Sequence, residues 1–423
     1  MIDIKEIDAY IYDNKIGTLI EDEGKIYFSY STKFKTKGLE LSPLKLPIIS
    51  TKPLYSNNDD EIYKGMPGIF YDSIPDKHGL TLMDRFFESE GKNVEEISML
   101  YRLMFIGDRG MGAIEYRPSR ATLPNEQQSI SDIKEAYQNM RKIKEGKKAI
   151  TAEDLYNLID SASPVGGAKS KMLVQYNKNT KSVMYNNKIL EDGYERYLLK
   201  FDYIHPSTKE SPCETKFEYI YMNMAKDCGI EVPELFLLEE DELSHYIIKR
   251  FDRTNTDEKI HIATASALAH KNINISRVMS YEELFLLTMR VTKSQEQIVQ
   301  LFRRMVFNIL SVNNDTHPKN FAFMMDKNGK WKLSPTYDII YSKAVGILNP
   351  LMTINGKIKG YKIKDFLDIA KSFLIDKKKA LLIIDEIKEV LNTFNQRADD
   401  IKLDKKRKDG CWMNMKDNLL GVK

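Results

Sequence analysis

Apolar and polar residues alternate along the first part of the chain, over residues 9–31, with two short polar breaks. Alternation with a period of two is typical of strands that bury one face, and the breaks predict tight turns. The sequence therefore predicts a small meander of strands at the start of the chain. Helical patterns follow over residues 80–89 and 94–105, and a short strand is expected over 113–116.

The middle of the chain is dominated by strand patterns that surround one helix. The helix is predicted over residues 216–228, because apolar residues lie on one face and Gly229 follows as a stop signal. The predicted strands cover residues 172–176, 182–185, 197–201, 234–238 and 245–249. We expect a mostly antiparallel sheet with one inserted helix.

Beyond about residue 252 the pattern becomes helical. Ser280 with Glu283, and Ser294 with Gln297, have the spacing of capping boxes that begin helices. After Ser294 the apolar residues recur with the 3.6-residue period of a buried helix. A hairpin over residues 321–333 then turns the chain back.

Composition narrows the class of protein. Of the 423 residues, 42% are hydrophobic and 30% are charged, with a net charge of +3, which is ordinary for a globular protein and too small to indicate nucleic-acid or membrane binding. The three cysteines include no CxxC pair, so we expect neither disulfides nor a zinc site, and a reducing cytoplasm fits. The charged N-terminus predicts no signal peptide, and no apolar run predicts a membrane span.

The strongest chemical signal is a set of three polar residues around the predicted hairpin. Asp315 precedes Asn320 by five positions, and Asp338 follows the hairpin. In phosphoryl-transfer enzymes this spacing lets one Asp accept the proton of the substrate hydroxyl, while the Asn and the second Asp hold magnesium on ATP. We expect His317 to organise the loop and Lys319 to balance developing charge. The alternative is that these polar residues only cap and turn a loop.

Upstream residues supply further candidates for phosphate binding. Gly166, Gly167 and Ala168, flanked by Lys169 and Lys171, lie between a predicted helix and strand, where glycine lets backbone N–H groups approach phosphates. A plain turn remains the alternative for this segment.

Lys200 ends an apolar strand, where a lysine either grips ATP phosphates or extends to the surface. Glu218 either pairs with Lys200 or favours the start of its helix.

At this point the residues resemble the HipA family of serine/threonine kinase toxins. The resemblance covers nearly the whole chain and is most specific between residues 304 and 340. It rests, in chain order, on residues 70–76, 106–113, 165–171, 198–200, 217–219, 249–253, 314–321 and 333–340.

The resemblance implies an α+β, protein-kinase-like bilobal fold behind a β-rich N-terminal accessory domain. The accessory domain would cover residues 1–125, the kinase N-lobe 126–252, and an all-helical C-lobe with the catalytic loop 253–423. It also implies ATP and Mg2+ as cofactors and a protein hydroxyl as acceptor. A helix-turn-helix antitoxin of HipB type would neutralise the toxin and carry it to operator DNA. Aminoacyl-tRNA synthetases are among the acceptors in such families.

The resemblance also assigns roles to residues. Asp315 would be the catalytic base, with Asn320 and Asp338 as magnesium ligands and Lys200 on the phosphates. The nucleotide loop would consist of Val165, Gly166, Gly167, Ala168, Lys169 and Lys171, and the hinge beside adenine of Lys249, Arg250 and Phe251.

The chain departs from the family pattern at Pro164, Lys249 and Thr316, and the first two bear on regulation and on adenine binding. The serine that is autophosphorylated in well-known members is replaced by Pro164, with Ser163 and Ser161 one and three residues earlier. Self-inactivation would therefore use a shifted serine. Lys249 replaces the usual hinge glutamate, which is tolerable where adenine is read by backbone groups.

Two other functions are alternatives to that of a kinase toxin. One is a small-molecule kinase of the aminoglycoside or choline type, which shares the Asp, Asn and Asp arrangement; the accessory module and the segment 251–253 argue against it. The other is a nucleotide-binding corepressor with little catalysis. The presence of all three of Asp315, Asn320 and Asp338 argues against a protein that has lost transfer activity.

Overall fold

The computed structural model describes most of the chain outside its central segment. The described residues are 5–54, 63, 65–75, 77–119, 129–130, 171–184, 189–205, 208 and 210–422. Within them, strands and helices divide into a β-rich N-terminal part, a second sheet, and a mostly helical C-terminal part, which confirms the predicted α+β class.

The predicted N-terminal meander is confirmed as three antiparallel strands. They form a four-stranded sheet with a later strand added beside β1, in the order β3-β2-β1-β4. Alternate side chains such as Ile7, Ala9 and Ile11 are buried, which explains the period of two in the sequence. The strands are β1 Glu6–Ile11, β2 Asn14–Asp22, β3 Lys25–Tyr30 and β4 Ile114–Arg117.

Helices pack beside this sheet, and one prediction needs correction. The pattern over residues 94–105 is not one helix but a 3-10 turn, Val94–Glu96, followed by a helix that begins after Ser98. The Ser98 hydroxyl accepts a hydrogen bond from the backbone N–H of Tyr101 and starts the helix anew. The helices here are α1 Thr32–Lys35, α2 Gly68–Tyr71, α3 Lys77–Ser89 and α4 Met99–Ile106.

The second sheet has six strands in the order β5-β7-β6-β8-β10-β9, and each pairing is antiparallel, as predicted. The inserted helix α5, Glu214–Asp227, buries Phe217, Ile220 and Tyr221 in the core. The strands are β5 Ser129–Ile130, β6 Lys171–Asn177, β7 Ser182–Met184, β8 Glu195–Lys200, β9 Leu235–Glu240 and β10 Leu243–Lys249.

The C-terminal part is mostly helical. The Ser280–Glu283 capping box is confirmed, whereas the one predicted for Ser294 is wrong, because the Ser294 side chain makes no capping bond. Gln297 instead accepts a hydrogen bond from Leu333 N at 2.8 Å. The helices are α6 Ala265–Ala269, α7 Tyr281–Thr292, α8 Gln295–Leu310, α9 Ile363–Ser372, α10 Lys377–Leu391, α11 Phe394–Asp400 and α12 Lys405–Gly421.

A small antiparallel sheet lies among these helices, so this part is not helical throughout. The predicted hairpin is confirmed as β12 Ala322–Met325 and β13 Trp331–Leu333, and β11 His261–Thr264 pairs with β12 on its other side. Among the described residues, none of the helices is both long enough and apolar enough to cross a bilayer.

The N-terminal part contacts the C-terminal part through buried and half-buried hydrogen bonds. Gly68 N donates to His270 Nε2 at 3.0 Å, and Tyr63 OH donates to Ser266 O at 2.9 Å. The approach is so close that a Cβ on Gly68 would lie 2.6 Å from Ala267 O. The two parts therefore pack backbone to backbone, and a side chain at position 68 would force them apart.

We predict that acid destabilises this interface through His261, which is fully buried against Trp331 and Leu41. Burial lowers its pKa to about 4, below the 6.5 of a free histidine, so the unfolded chain binds more protons between these values. Stability is therefore lost as the pH falls through 6.5 towards 4. We expect His261 to lower the free energy of unfolding, measured with urea, by about 2 kcal/mol between pH 7 and pH 5, because one pKa unit corresponds to about 1.4 kcal/mol.

The matched variants are His261→Gln and His205→Gln, since His205 is exposed. The first should reduce the difference in stability between pH 7 and pH 5 relative to the wild type, and the second should leave it unchanged. An unaltered difference in His261→Gln would contradict the prediction.

Candidate active site

A cleft lies between the second sheet and the C-terminal part, and it collects seven of the ten predicted site residues that the structure describes. Its lining includes Lys200 and Glu218 on one side, Lys319, Asn320 and Asp338 on the other. The predicted hinge residues also line it, namely Lys249, Arg250 and Phe251. Residues that are far apart in sequence are thus brought to one cavity.

Lys200, at the end of β8, is buried and pairs with two carboxylates. Its Nζ lies 2.7 Å from Glu218 Oε1 and also contacts Asp338 Oδ1. Burial alone would lower the pKa of Lys200, but the charges of Asp338 and Glu218 outweigh it and raise the pKa, so the ammonium stays protonated. The surface alternative for Lys200 is excluded in this structure, and Glu218 is a buried partner within α5 rather than part of its first turn.

The segment that follows α8 is organised by a serine that the sequence did not single out. Ser342 Oγ accepts hydrogen bonds from Asn314 N at 2.7 Å and Asp315 N at 3.0 Å, and it donates to Asn313 Oδ1 at 3.0 Å. Asn313 in turn donates to Asn308 in the last turn of α8. This chain of bonds fixes the backbone on which Asp315 is carried.

Asp315 and His317 lie next to the cleft but are not among its lining residues. Asn320 Nδ2 donates to Asp315 O at 2.6 Å, which ties the two ends of the loop together. His317 Nε2 lies 3.6 Å from Asp315 Oδ1, and within the described residues its Nδ1 has no hydrogen-bond partner. The Asp315 carboxylate is about a quarter exposed, so an incoming hydroxyl has access to it.

Asp338 lies just after the hairpin and has an unusual backbone conformation. Its φ of 59° lies in the left-handed region, which Asp tolerates better than most residues. The preceding Tyr337 stacks on Phe251 with ring centroids 5.7 Å apart, and its hydroxyl donates to Lys319 O at 2.7 Å. One tyrosine therefore links the predicted hinge to the catalytic loop.

A buried carboxylate without a role predicted from the sequence stabilises the segment of the predicted hinge. Asp252 accepts hydrogen bonds from Arg250 Nε at 2.8 Å and from Arg253 Nη1 at 2.7 Å. It also accepts one from Gly112 N at 2.9 Å, in the glycine-containing loop of the N-terminal part. Burial would raise its pKa, but Arg250 and Arg253 outweigh burial and hold the pKa of Asp252 well below its usual range.

The N-terminal part forms one wall of the cleft, which the sequence did not predict. The side chains that it contributes come from the end of α2 and from the segment before and within β4. They belong to Ile69, Asp72, Ser73, Met111 and Ile114. No spacing rule would have found them, because their distance in sequence from the catalytic loop exceeds 200 residues.

Several predicted residues of the nucleotide loop cannot be placed beside this cleft. Val165, Gly166, Gly167, Ala168, Lys169 and the serines Ser161 and Ser163 lie outside the described residues. Lys171 is described: it begins β6, is buried, and is paired in register with Lys200, but it does not line the cleft.

The donor set of the cleft suits magnesium held jointly by protein and nucleotide. Asn320 supplies an amide oxygen and Asp338 a carboxylate, the hard oxygen ligands that Mg2+ prefers. Among the residues that the structure describes, no cluster of three His, Cys, Asp or Glu converges on a metal position. A metal held by one or two protein ligands plus phosphates does not require such a cluster.

Comparisons with known proteins agree with this architecture. Residues 163–394 match the model of the HipA-like C-terminal domain, and residues 7–117 match that of the HipA N-terminal domain. A solved complex of Shewanella oneidensis HipA, HipB and operator DNA contains a chain with a TM-score of 0.69 and 18% identity, covering 98% of this chain and 96% of that one. This likeness confirms the predicted HipA-like kinase fold.

Curated relatives give the same family. The serine/threonine-protein kinase toxin HipA of Shewanella oneidensis is 23% identical over 363 residues, which cover 79% of this chain and 74% of that protein. A putative kinase of Haemophilus influenzae is 29% identical over 157 residues, 34% of this chain and only 44% of that protein. The match to the C-terminal domain model spans more than half of the chain. The chain therefore belongs to the HipA family.

Proposed function

We propose that this chain is an ATP- and magnesium-dependent serine/threonine protein kinase. The observation that carries the proposal is the meeting of Lys200, Asn320 and Asp338 in one cleft, with Asp315 bonded to Asn320 beside it. These are the residue types that phosphoryl transfer requires: a cation for the phosphates, oxygen ligands for magnesium, and a carboxylate to take a proton.

The proposed reaction assigns a step to each side chain. Asp315 accepts the proton of a serine or threonine hydroxyl whose oxygen forms a bond to the γ-phosphorus of ATP. The bond from that phosphorus to the β–γ bridging oxygen breaks, and ADP leaves. Lys200 and Lys319 hold the phosphate oxygens by charge. Asn320 and Asp338 would hold magnesium, whose positive charge would offset the negative charge that develops on these oxygens.

The biological part of the proposal follows the family. We propose that the kinase is the toxin of a HipA/HipB-like system in the cytoplasm, bound by a helix-turn-helix antitoxin and reaching DNA only through it. The Shewanella relative carries the name of such a toxin, and its solved complex contains HipB and operator DNA. The acceptor would be a cellular protein such as an aminoacyl-tRNA synthetase, whose phosphorylation arrests growth.

Replacing the base should separate transfer from binding. Asp315→Ala is expected to lower the rate of phosphate transfer by about 10²- to 10⁴-fold, the usual contribution of a general base. ATP affinity should stay within about 3-fold of wild type, because the cleft keeps Lys200, Asn320 and Asp338. Transfer from labelled ATP to proteins of a cell lysate, together with calorimetric ATP binding, measures both quantities.

The control is Asp326→Asn at the far end of the hairpin, where the carboxylate accepts local turn bonds from the backbone N–H groups of Asn328 and Lys330. It should transfer phosphate at nearly the wild-type rate. Near-normal turnover in Asp315→Ala would refute the assignment of the base.

A second prediction concerns the metal. Asp338→Asn should weaken ATP binding in the presence of Mg2+ by at least about 10-fold, because a carboxylate ligand is lost. Binding measured in EDTA should change little, since the phosphate contact of Lys200 remains. If the Mg2+-dependent gain in affinity were the same in Asp338→Asn and wild type, Asp338 would have only a structural role.

A third prediction tests the shifted serine. After incubation with Mg-ATP, intact mass and peptide mapping should show one phosphate on Ser163 or Ser161 in the wild type and none in Asp315→Ala. The double variant Ser161→Ala/Ser163→Ala should remain active for longer. An unmodified wild type that nevertheless phosphorylates lysate proteins would remove self-inactivation from the proposal. ATP binding without any transfer to lysate proteins would favour the corepressor.

A further inference from the structure

Asp72 is an acidic residue of the N-terminal part that faces the cleft from the end of α2. Its Oδ2 accepts a hydrogen bond from Thr264 N at 2.7 Å, and its Oδ1 accepts one from the Thr264 hydroxyl at 2.9 Å. Both oxygens are thus engaged by a single residue of the C-terminal part. Asp72 lines the same cavity as Lys319, Asn320 and Asp338.

Thr264 connects this carboxylate to the catalytic loop. It is the last residue of β11, where it pairs with Ala322, two positions after Asn320. The next residue, Ala265, donates its N–H to Phe321 O at 2.7 Å. Asp72 is therefore bonded to the strand that lies directly against the end of the loop.

Lys319 is the cation of the loop that shares this cavity with Asp72. Burial raises the pKa of Asp72 to about 6, and the charge of Lys319 and the bonds from Thr264 oppose that rise. The backbone of Lys319 is held separately, because Tyr337 OH donates to its carbonyl oxygen at 2.7 Å. With the backbone fixed by Tyr337, the remaining freedom of Lys319 is that of its side chain, which shares the cavity with the Asp72 carboxylate.

Resting on the proposed kinase activity, we infer that Asp72 is a positioning residue for phosphoryl transfer. Across the shared cavity its negative charge draws the Lys319 ammonium towards the place where the transferring phosphoryl group would lie. The N-terminal domain therefore supplies part of the active site, and transfer depends on that domain being docked. Asp72 itself does not contact the reacting atoms.

The contacts between the N-terminal and C-terminal parts explain how Asp72 comes within hydrogen-bond distance of Thr264. Gly68, in the first turn of the same short helix, bonds to His270 at 3.0 Å. Gly112 bonds to Asp252 at the hinge at 2.9 Å. A movement that separated these contacts would withdraw the carboxylate from Lys319, so an antitoxin or other partner that shifts the N-terminal domain would lower the transfer rate without touching the nucleotide.

The test compares loss of the charge with loss of one hydrogen bond. Asp72→Asn keeps an oxygen for Thr264 but removes the charge, whereas Thr264→Val keeps the charge and removes the hydroxyl. If the charge matters, Asp72→Asn should lower kcat by about 10-fold with KM for ATP nearly unchanged, the mark of an interaction used in the transition state. Thr264→Val should lower kcat less, and Asp72→Glu, which restores the charge, should recover most of the rate.

A double-mutant cycle with Lys319→Gln identifies the partner. In that background Asp72→Asn should have no further effect on kcat, because the two residues act as a unit. The control is Asp84→Asn, which removes a charge from the Arg102 pair of the N-terminal domain, away from the cleft. It should keep the wild-type kcat.

The outcomes are distinguishable from failure of the kinase proposal. If the wild-type protein showed no transfer activity, both the proposed kinase activity and the positioning role of Asp72 would be refuted. An active wild type with Asp72→Asn at the same kcat, or with Thr264→Val impaired more than Asp72→Asn, would overturn the positioning role alone. Additive effects of Asp72→Asn and Lys319→Gln would also overturn it. If Asp72→Asn does not fold by circular dichroism, the comparison of Asp72→Glu with Thr264→Val decides the same question.

Discussion

The structure depends on one buried ammonium group. Lys200 is enclosed by protein at the end of β8, and an unpaired charge in such a place would cost several kcal/mol. Two carboxylates remove that cost, Glu218 from α5 and Asp338 from the segment after β13. Because these elements belong to different parts of the chain, satisfying one charge fixes the second sheet, its helix and the C-terminal part relative to each other.

The same rule, that a buried charge must be paired, explains why the N-terminal domain is so closely joined to the rest. Asp252 is fully buried and is compensated by two arginines of its own segment, yet it also accepts the N–H of Gly112 from the other domain. In the reverse arrangement, Asp72 belongs to the N-terminal domain and accepts hydrogen bonds from Thr264 of the C-terminal part. Each domain thus completes the hydrogen bonding of a carboxylate that belongs to the other.

Local pattern predicted most of the strands and several of the helices. The period of two in the first strands, the period of 3.6 in α8 and the turn of the β12–β13 hairpin depend only on neighbouring residues, so they could be found in the sequence. Where a long-range bond competes, the local prediction is wrong. Gln297 has the right position for a capping box with Ser294, but its oxygen is taken by Leu333 from the hairpin.

The site could be predicted only in part, for the same physical reason. Spacing singled out Asp315, Asn320 and Asp338, because a loop and a hairpin of fixed length bring them together. Ser342 and Asp72 could not be found in this way. Ser342 bonds to Asn314 across 28 residues, and Asp72 bonds to Thr264 across 192. Such contacts depend on how whole elements pack, and no periodicity or motif in one sequence records them.

Asp338 shows how a single side chain serves both the fold and the proposed chemistry. A carboxylate has two oxygens and about four lone-pair directions, so an ion pair with Lys200 leaves sites for a metal. The left-handed backbone at Asp338 sets the direction of the side chain before any ligand binds. In the proposed reaction, Lys200 would gain phosphate oxygens as further partners, and Asp338 would then be available to the cation. The ion pair of Lys200 with Asp338 thereby joins the stability of the fold to the proposed chemistry.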